Sequence, residues 1–293
     1  MNCILIYYTG TYNTRFLSEK LQNRLESSGI RTDLYEIDPL RTEQLDLSSY
    51  DIIGLGYPIY GFNAPMAFAR FIRHQKFPAG KKIFIYKNSG ETYAANDASS
   101  SLISSYVKKC GASVSNEYHF MMPYNIHFRF EDDLVSEILK MDDKLIEILI
   151  HEVTGNIPNE IHYKLIHRII SFFVRIQYIG GPVNSFFYKV NNDLCIKCGL
   201  CVNNCPVNNI YSDKSGNIRF HHNCLMCMRC SMHCPKNAIN IGFLEGWKVN
   251  GRYDLAKLSE KEPAESVITP ETTGFFKCYV KTYKEITDRY KDL

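Results

Sequence analysis

The chain has 293 residues, 45% hydrophobic and 22% charged, which is ordinary for a globular protein and more than one small core usually serves. A formal charge of +3 argues for neither nucleic acid nor a membrane surface. Eleven cysteines without a basic-then-apolar leader over Met1 to Gly10 point to a reducing, cytoplasmic setting rather than a disulfide framework.

The charge is uneven, and its shifts coincide with changes of pattern. Residues 1–155 carry 16 basic and 19 acidic side chains, residues 156–189 four against one, residues 190–242 five against two, and residues 243–293 nine of each. We expect four parts with these bounds: an N-terminal domain, a connecting helix and hinge, a cysteine-rich module, and a C-terminal extension.

The first part alternates strand-like and helix-like segments. Ile4 to Tyr8 is a short apolar run, followed by a helical pattern with Phe16, Leu17, Leu21 and Leu25 on one side. Arg31 to Ile37, Asp51 to Leu55 and Lys81 to Tyr86 read as strands, and helices are expected over Ala64–Gln75, Ala94–Lys109 and Glu131–His151. Such alternation implies a doubly wound α/β fold, a parallel sheet with helices on both faces, whose ligand sits beyond the carboxyl ends of the strands. Three loops fall there. Thr9-Gly10-Thr11-Tyr12-Asn13-Thr14 leads into the first helix, where N–H groups favour a phosphate. Pro58-Ile59-Tyr60-Gly61 follows the third strand and offers a ring able to stack on a flat heterocycle. Asn88-Ser89-Gly90 follows the fourth, where a glycine admits a ligand edge.

From Ile161 to Ile179, apolar residues Ile161, Leu165, Ile169, Phe172 and Ile176 recur at helical spacing. Lys164, His167, Arg168 and Arg175 interrupt the stretch, so it is no membrane span. It reads as a connecting helix packed on one or both domains; the alternative is a basic amphipathic helix lying on a membrane or a partner. Gly180-Gly181-Pro182 is expected to end it in a hinge that would gate the distance between domains.

Two cysteine runs then repeat one spacing: Cys195-x2-Cys198-x2-Cys201-x3-Cys205-Pro206 and Cys224-x2-Cys227-x2-Cys230-x3-Cys234-Pro235. Two-residue gaps let three sulfurs converge on three irons of a cube, and in the two-cluster arrangement the fourth Cys of each run crosses to the other cluster. That groups Cys195, Cys198, Cys201 and Cys234 around one [4Fe-4S] cluster and Cys224, Cys227, Cys230 and Cys205 around the second. A zinc site has no use for a third Cys at the same interval. Cys3, Cys110 and Cys278 have no partner at ligand spacing and read as buried thiols. In the tail, Thr269-Pro270-Glu271 reads as a helix start. Phe275, Tyr279, Tyr283, Ile286 and Tyr290 then form an aromatic face that docks either on its own chain or, in a homodimer, on a second copy.

The N-terminal loops resemble those of flavodoxins, and the cysteine module resembles a clostridial-type two-cluster ferredoxin. Their order, with Met122-Pro123-Tyr124-Asn125 after the fifth strand, is similar to a family of flavodoxin-ferredoxin fusion proteins of anaerobes. The resemblance implies a flavodoxin-like sheet plus a small α+β ferredoxin domain, with FMN and two [4Fe-4S] clusters. It implies that Thr9, Gly10, Thr11, Asn13 and Thr14 hold the FMN phosphate. Pro58, Ile59, Tyr60 and Gly61 would flank the isoalloxazine, with Tyr60 stacked on it, and Asn88, Ser89, Gly90 and Asn125 would lie beside its edge. Flavodoxins place Gly where this chain has Tyr12. A ring turned outward leaves the N–H groups usable, whereas one turned inward closes the pocket and leaves an apo docking module. The implied function is electron transfer to redox partner proteins, with no catalytic side chain. The alternative is a flavin-dependent reductase of a small substrate, for which Glu91, His119 and His127 are the candidates for proton transfer.

A reduced cluster is more negative than an oxidised one, so the basic residues Lys197, Lys214, Arg219, Arg229 and Lys236 favour the reduced form. A redox titration is expected to return potentials less negative than those of an acidic ferredoxin; values at the low end of the cluster range would contradict this.

Overall fold

The structure is a computed structural model that describes residues 1–263 and 265–293. Five strands form one parallel sheet: β1 (Asn2–Tyr7), β2 (Arg31–Glu36), β3 (Ile52–Pro58), β4 (Lys82–Ser89) and β5 (Val114–Met121), in the order β2-β1-β3-β4-β5. This is the flavodoxin-like order, with its switch point between β1 and β3. Tyr7 stands opposite Gly56 there, so the loops after β1 and β3 leave the sheet side by side. A β-sheet buried on both faces takes apolar residues at consecutive positions, and Cys3 to Tyr8 and Ile52 to Tyr57 accordingly have no exposed residue.

Helices α1 (Asn13–Ser27) and α4 (Asp132–Gly155) cover one face, and α2 (Met66–His74) and α3 (Ser101–Lys109) the other. The segment expected as one helix from Ala94 is a 3-10 turn, Ala94–Ser100, leading into α3. The polar run Asn96-Asp97 carries little apolar surface to bury, and its side chains and carbonyls instead serve the buried Lys87 and the loop after β4.

The connecting segment corrects two expectations. It forms two helices, α5 (Leu165–Val174) and α6 (Gln177–Ser185), and Gly180, Gly181 and Pro182 lie inside α6 rather than ending a helix in a hinge. The reason is packing: a Cβ at Gly181 would stand 2.5 Å from the Cys224 carbonyl oxygen. The glycine is what lets α6 lie directly on a cysteine loop.

The cysteine module holds β6 (Tyr188–Val190), α7 (Leu200–Asn203), β7 (Ile210–Ser212), β8 (Ile218–Phe220), α8 (Arg229–Met232) and β9 (Ile239–Ile241), with β6–β9 and β7–β8 paired antiparallel. The extension returns to the N-terminal domain through α9 (Leu255–Glu260) and α10 (Lys277–Lys291), both packed on α4. Helix α10 begins later than the Thr269-Pro270-Glu271 signal, which forms a turn closed by the Thr272 N–H donating to the Thr269 carbonyl at 3.0 Å. The aromatic face docks on its own chain: Tyr279, Tyr283 and Ile286 are buried, and the Tyr279 hydroxyl donates to the Gly90 carbonyl. Of the three cysteines outside the runs, Cys3 is buried, Cys278 half-buried and Cys110, past the end of α3, exposed, so the last is no core thiol.

Truncating a fully buried aromatic costs about 3–5 kcal/mol. Tyr279→Ala is therefore expected to lower unfolding stability by about that amount in urea titration. Tyr279→Phe, which loses only the bond to Gly90, should cost about 1 kcal/mol.

Candidate functional site

The carboxyl ends of β1, β3 and β4 open into a cavity of about 400 Å³, within the range of small-molecule and cofactor sites. Twelve residues of the three N-terminal loops, all but Tyr12, line it together with Asn125. Hydrogen bonds between these loops fix the cavity's shape. Asn13 Nδ2 donates to the Pro123 carbonyl at 2.8 Å, Asn88 Nδ2 to Thr14 Oγ1 at 2.9 Å, and Asn125 Nδ2 to Thr11 Oγ1 at 3.4 Å.

Phosphate chemistry fits the first loop. Helix α1 starts without a side-chain cap, so its first N–H groups are left to another acceptor. The Thr9 hydroxyl is buried without a hydrogen-bond partner. Tyr12 adopts φ 75°, the left-handed conformation that glycine favours, and is absent from the cavity wall. Its ring is turned outward, in an edge contact with His233 at 5.1 Å and between the Arg15 and Arg229 guanidiniums, each 5.0 Å from its centroid. The conformation that a glycine would adopt freely is thus supported here by the ring's three neighbours.

Arg229 belongs to the second cysteine run and reaches back across the chain. Its Nε and Nη2 donate to the carbonyls of Gly10 and Thr9, both at 2.7 Å, and it pairs with Glu36 at 3.7 Å. Gly10 permits this approach, because a Cβ there would collide with the Tyr60 hydroxyl and lie 2.8 Å from the Cys227 carbonyl oxygen. Tyr60 is accordingly half-buried at the junction rather than standing free, its hydroxyl enclosed and without a partner, and burial pushes that hydroxyl's pKa up. The far wall of the cavity comes from elements the sequence did not connect with it: Gln177 and Tyr178 of α6, Cys224, Leu225, Met226 and Met228 of the second run, and Trp247.

The eight run cysteines surround two separate hollows. One is lined by Cys205, Cys224, Cys227 and Cys230, and the other by Cys195, Cys198, Cys201 and Cys234. The backbone repeats as faithfully as the spacing. Lys197 and Gly199 have φ 52° and 73°, Met226 and Met228 φ 53° and 59°, and Asn208 and Asn237 φ 51° and 50°. Alternating conformations of this kind turn successive N–H groups into a concavity suited to an anionic group. The amides of Asn209, Met226 and Ala238 donate to the sulfurs of Cys205, Cys224 and Cys234 at 3.1, 3.3 and 3.2 Å. Burial first, then neighbouring thiolates, pushes the Cys224 thiol up to about 12, and burial pushes Cys201 up to about 11. Sulfurs so placed become thiolates only against a cation, which suits iron ligation. Arg219 pairs with Asp213 and Arg229 shares Glu36 with Arg15, whereas Lys197, Lys214 and Lys236 have no carboxylate partner among the described residues.

Of the proton-transfer candidates, Glu91 and His127 line the cavity and His119 lies behind it. Glu91 accepts from the Tyr124 hydroxyl and from Asn96 Nδ2 at 3.1 Å. His119 stands behind Ser89, Nε2 to Oγ 2.7 Å, and burial followed by the charge of Lys87 pushes it down to about 3, which keeps it neutral at ordinary pH. His127 lines the cavity beside Trp247, with ring centroids 5.7 Å apart.

Residues 194–239 match the 4Fe-4S dicluster domain family. Over 60 residues the chain is 37% identical to pyruvate synthase subunit PorD of Methanocaldococcus jannaschii, covering 20% of this chain and 70% of that protein. Among solved structures it is similar to oxidised flavodoxin 1 of Bacillus cereus, 18% identical, with 50% of this chain and 98% of that one covered at a TM-score of 0.37. It is also similar to a short-chain flavodoxin associated with a non-canonical PDU bacterial microcompartment, 14% identical, covering 54% and 99% at 0.39.

Gly10→Ala is expected to force the first loop away from Tyr60 and Cys227 at a cost of about 1–3 kcal/mol. Arg229→Gln, which keeps donors but loses the charge and reach, should cost about 1.5–3 kcal/mol. Both are read as a fall in the thermal transition of the whole chain, and an unchanged transition would show that the junction contributes no stability.

Proposed function

The chain belongs to the 4Fe-4S dicluster domain family through its cysteine module, and on that premise we propose that it carries electrons between an FMN at the β1/β3 switch point, two [4Fe-4S] clusters and external redox proteins. The supporting observation is that one cavity is walled on one side by the three N-terminal loops and on the other by Cys224 to Met228. FMN supplies exchange of one or two electrons, and each cluster exchange of one.

The chain's own residues would serve this by holding and ordering the sites. The uncapped start of α1 and the Thr9, Thr11 and Thr14 hydroxyls bind the phosphate. Ile59, Tyr60 and Met226, on the cavity wall, would hold the ring and keep water from it, and Asn88 to Gly90 would serve its polar edge. Cys205 completes the ligand set of Cys224, Cys227 and Cys230, and Cys234 that of Cys195, Cys198 and Cys201. The first set adjoins the cavity, whereas the second shares no lining residue with it. The order is therefore cavity, near cluster, far cluster. At the far cluster Cys198, Leu194 and Ile196 are exposed beside Lys197, and a redox partner would dock there.

Protein purified without oxygen is expected to release about one FMN per chain on denaturation and to contain about eight iron atoms. No flavin with iron intact would favour an apo docking module. Cys205→Ser should halve the iron and spare the far cluster, while Cys234→Ser should do the converse. Loss of only the cluster nearest in sequence would refute the crossed ligand sets.

A further inference from the structure

Helices α5 and α6 are packed inside out. Their buried contacts with the body include several small and polar side chains beside the half-buried Ile170 and Val174. Ser171 Oγ donates to Asn63 Oδ1 at 2.8 Å, the Tyr178 hydroxyl to the Ala64 carbonyl at 2.5 Å, and Asn184 Nδ2 to the Ile241 carbonyl at 3.0 Å. Ser171, Gly181, Asn184 and Ser185 are buried. Most of the apolar stripe that the sequence shows faces solvent instead, with Leu165 71%, Ile169 42%, Phe172 63% and Ile176 75% exposed and Ile161 half-buried, and Phe173, Ile179 and Phe186 are exposed as well. The surface continues onto Gly242–Trp247, where Phe243, itself exposed, lies 4.3 Å from Phe187 between ring centroids.

A surface helix normally buries this stripe, because a large apolar side chain left in water forgoes the stabilisation of burial. An uncovered patch of this extent marks an interaction site. Its charge indicates the occupant. Between Glu160 and Asp193 there is no carboxylate, while Lys164, Arg168, Arg175 and Lys189 are cationic. Lys164, Arg168 and Lys189 are exposed, so a cationic flank borders the apolar face. Aliphatic and aromatic side chains on one side with cations able to reach outward from the edge are the composition of a helix lying in a membrane interface. Each basic residue near the surface adds attraction to anionic lipid, which salt screens. Among the described residues no helix is long and apolar enough to cross a bilayer, so the helices would lie in its plane.

We propose that the outer face of α5 and α6 seats the protein on the surface of an anionic lipid bilayer. The seat leaves the polar inner face of both helices on the protein body and buries the Phe172–Ile176 ridge among acyl chains.

The test is co-sedimentation of the full-length holoprotein with vesicles of phosphatidylcholine alone and of phosphatidylcholine with phosphatidylglycerol, at low and high salt, alongside sedimentation equilibrium without lipid. The expected result is binding to the anionic vesicles that falls at least tenfold in Phe172→Glu/Ile176→Glu. High salt and Lys164→Gln/Arg168→Gln should each weaken it severalfold. All the substituted side chains point outward, so iron content and circular dichroism should stay unchanged. Absence of vesicle binding, equal binding to neutral vesicles, or equal binding by the Phe172→Glu/Ile176→Glu variant would overturn the proposal. So would a dimer that this variant abolishes in protein that ignores lipid, because the face would then be an interface between copies.

Discussion

The junction between the N-terminal loops and the cysteine module is bridged by one cation. Arg229 sits between two cysteines of the second run, yet its guanidinium donates to the carbonyls of Thr9 and Gly10 at the other end of the chain. A planar, permanently charged fork suits this position, since it satisfies two adjacent carbonyls with parallel N–H bonds and keeps a face free to lie against an aromatic ring. Glu36 offsets part of its charge, and Arg15 shares that carboxylate at 2.8 Å, so two guanidiniums beside Tyr12 and one carboxylate leave a net positive charge at the partly buried junction. The residue that replaces the expected glycine has become part of the joint between domains.

That joint determines what the cavity can be. Gly10 removes the Cβ that would separate the phosphate-type loop from Tyr60 and Cys227, and Gly181 removes the one that would hold α6 off Cys224. With both approaches closed, the Cys224–Met228 loop forms part of the cavity wall rather than facing a domain across water. The extension reinforces the same geometry: the His127 N–H donates to the Trp247 carbonyl at 2.7 Å, and Tyr279 to Gly90, so the loops after β4 and β5 are held by residues far along the chain. The junction is closed by direct contacts, in contrast to the gating hinge that Gly180-Gly181-Pro182 suggested.

Local patterning carried most of the fold. The apolar strands, the three loops at their carboxyl ends and the two cysteine runs are each short-range signals, because a buried strand, a phosphate-type loop and a ligand loop each constrain neighbouring residues to particular types. Twelve of the cavity residues lie in those loops, whereas Asn125 was reached only through the resemblance to flavodoxins; alternation of strands and helices implies a parallel sheet but leaves the strand order open. The direction of the α5 stripe could not be read, since periodicity shows that apolar residues share a face and not which way it turns. Their spacing is the same whether they pack on the body or face outward.

What the sequence by itself determined was chemistry: thiolates at cluster spacing, twice, behind a parallel α/β domain with a ligand loop at its switch point. The tertiary structure alone decided proximity. The Arg229 contact spans 219 residues, the far wall of the cavity comes from α6, the second run and Trp247, and the outward turn of Tyr12 depends on His233 and Arg229 being beside it. Such contacts involve residue pairs with no sequence periodicity linking them, and they exist only once the chain has folded back on itself.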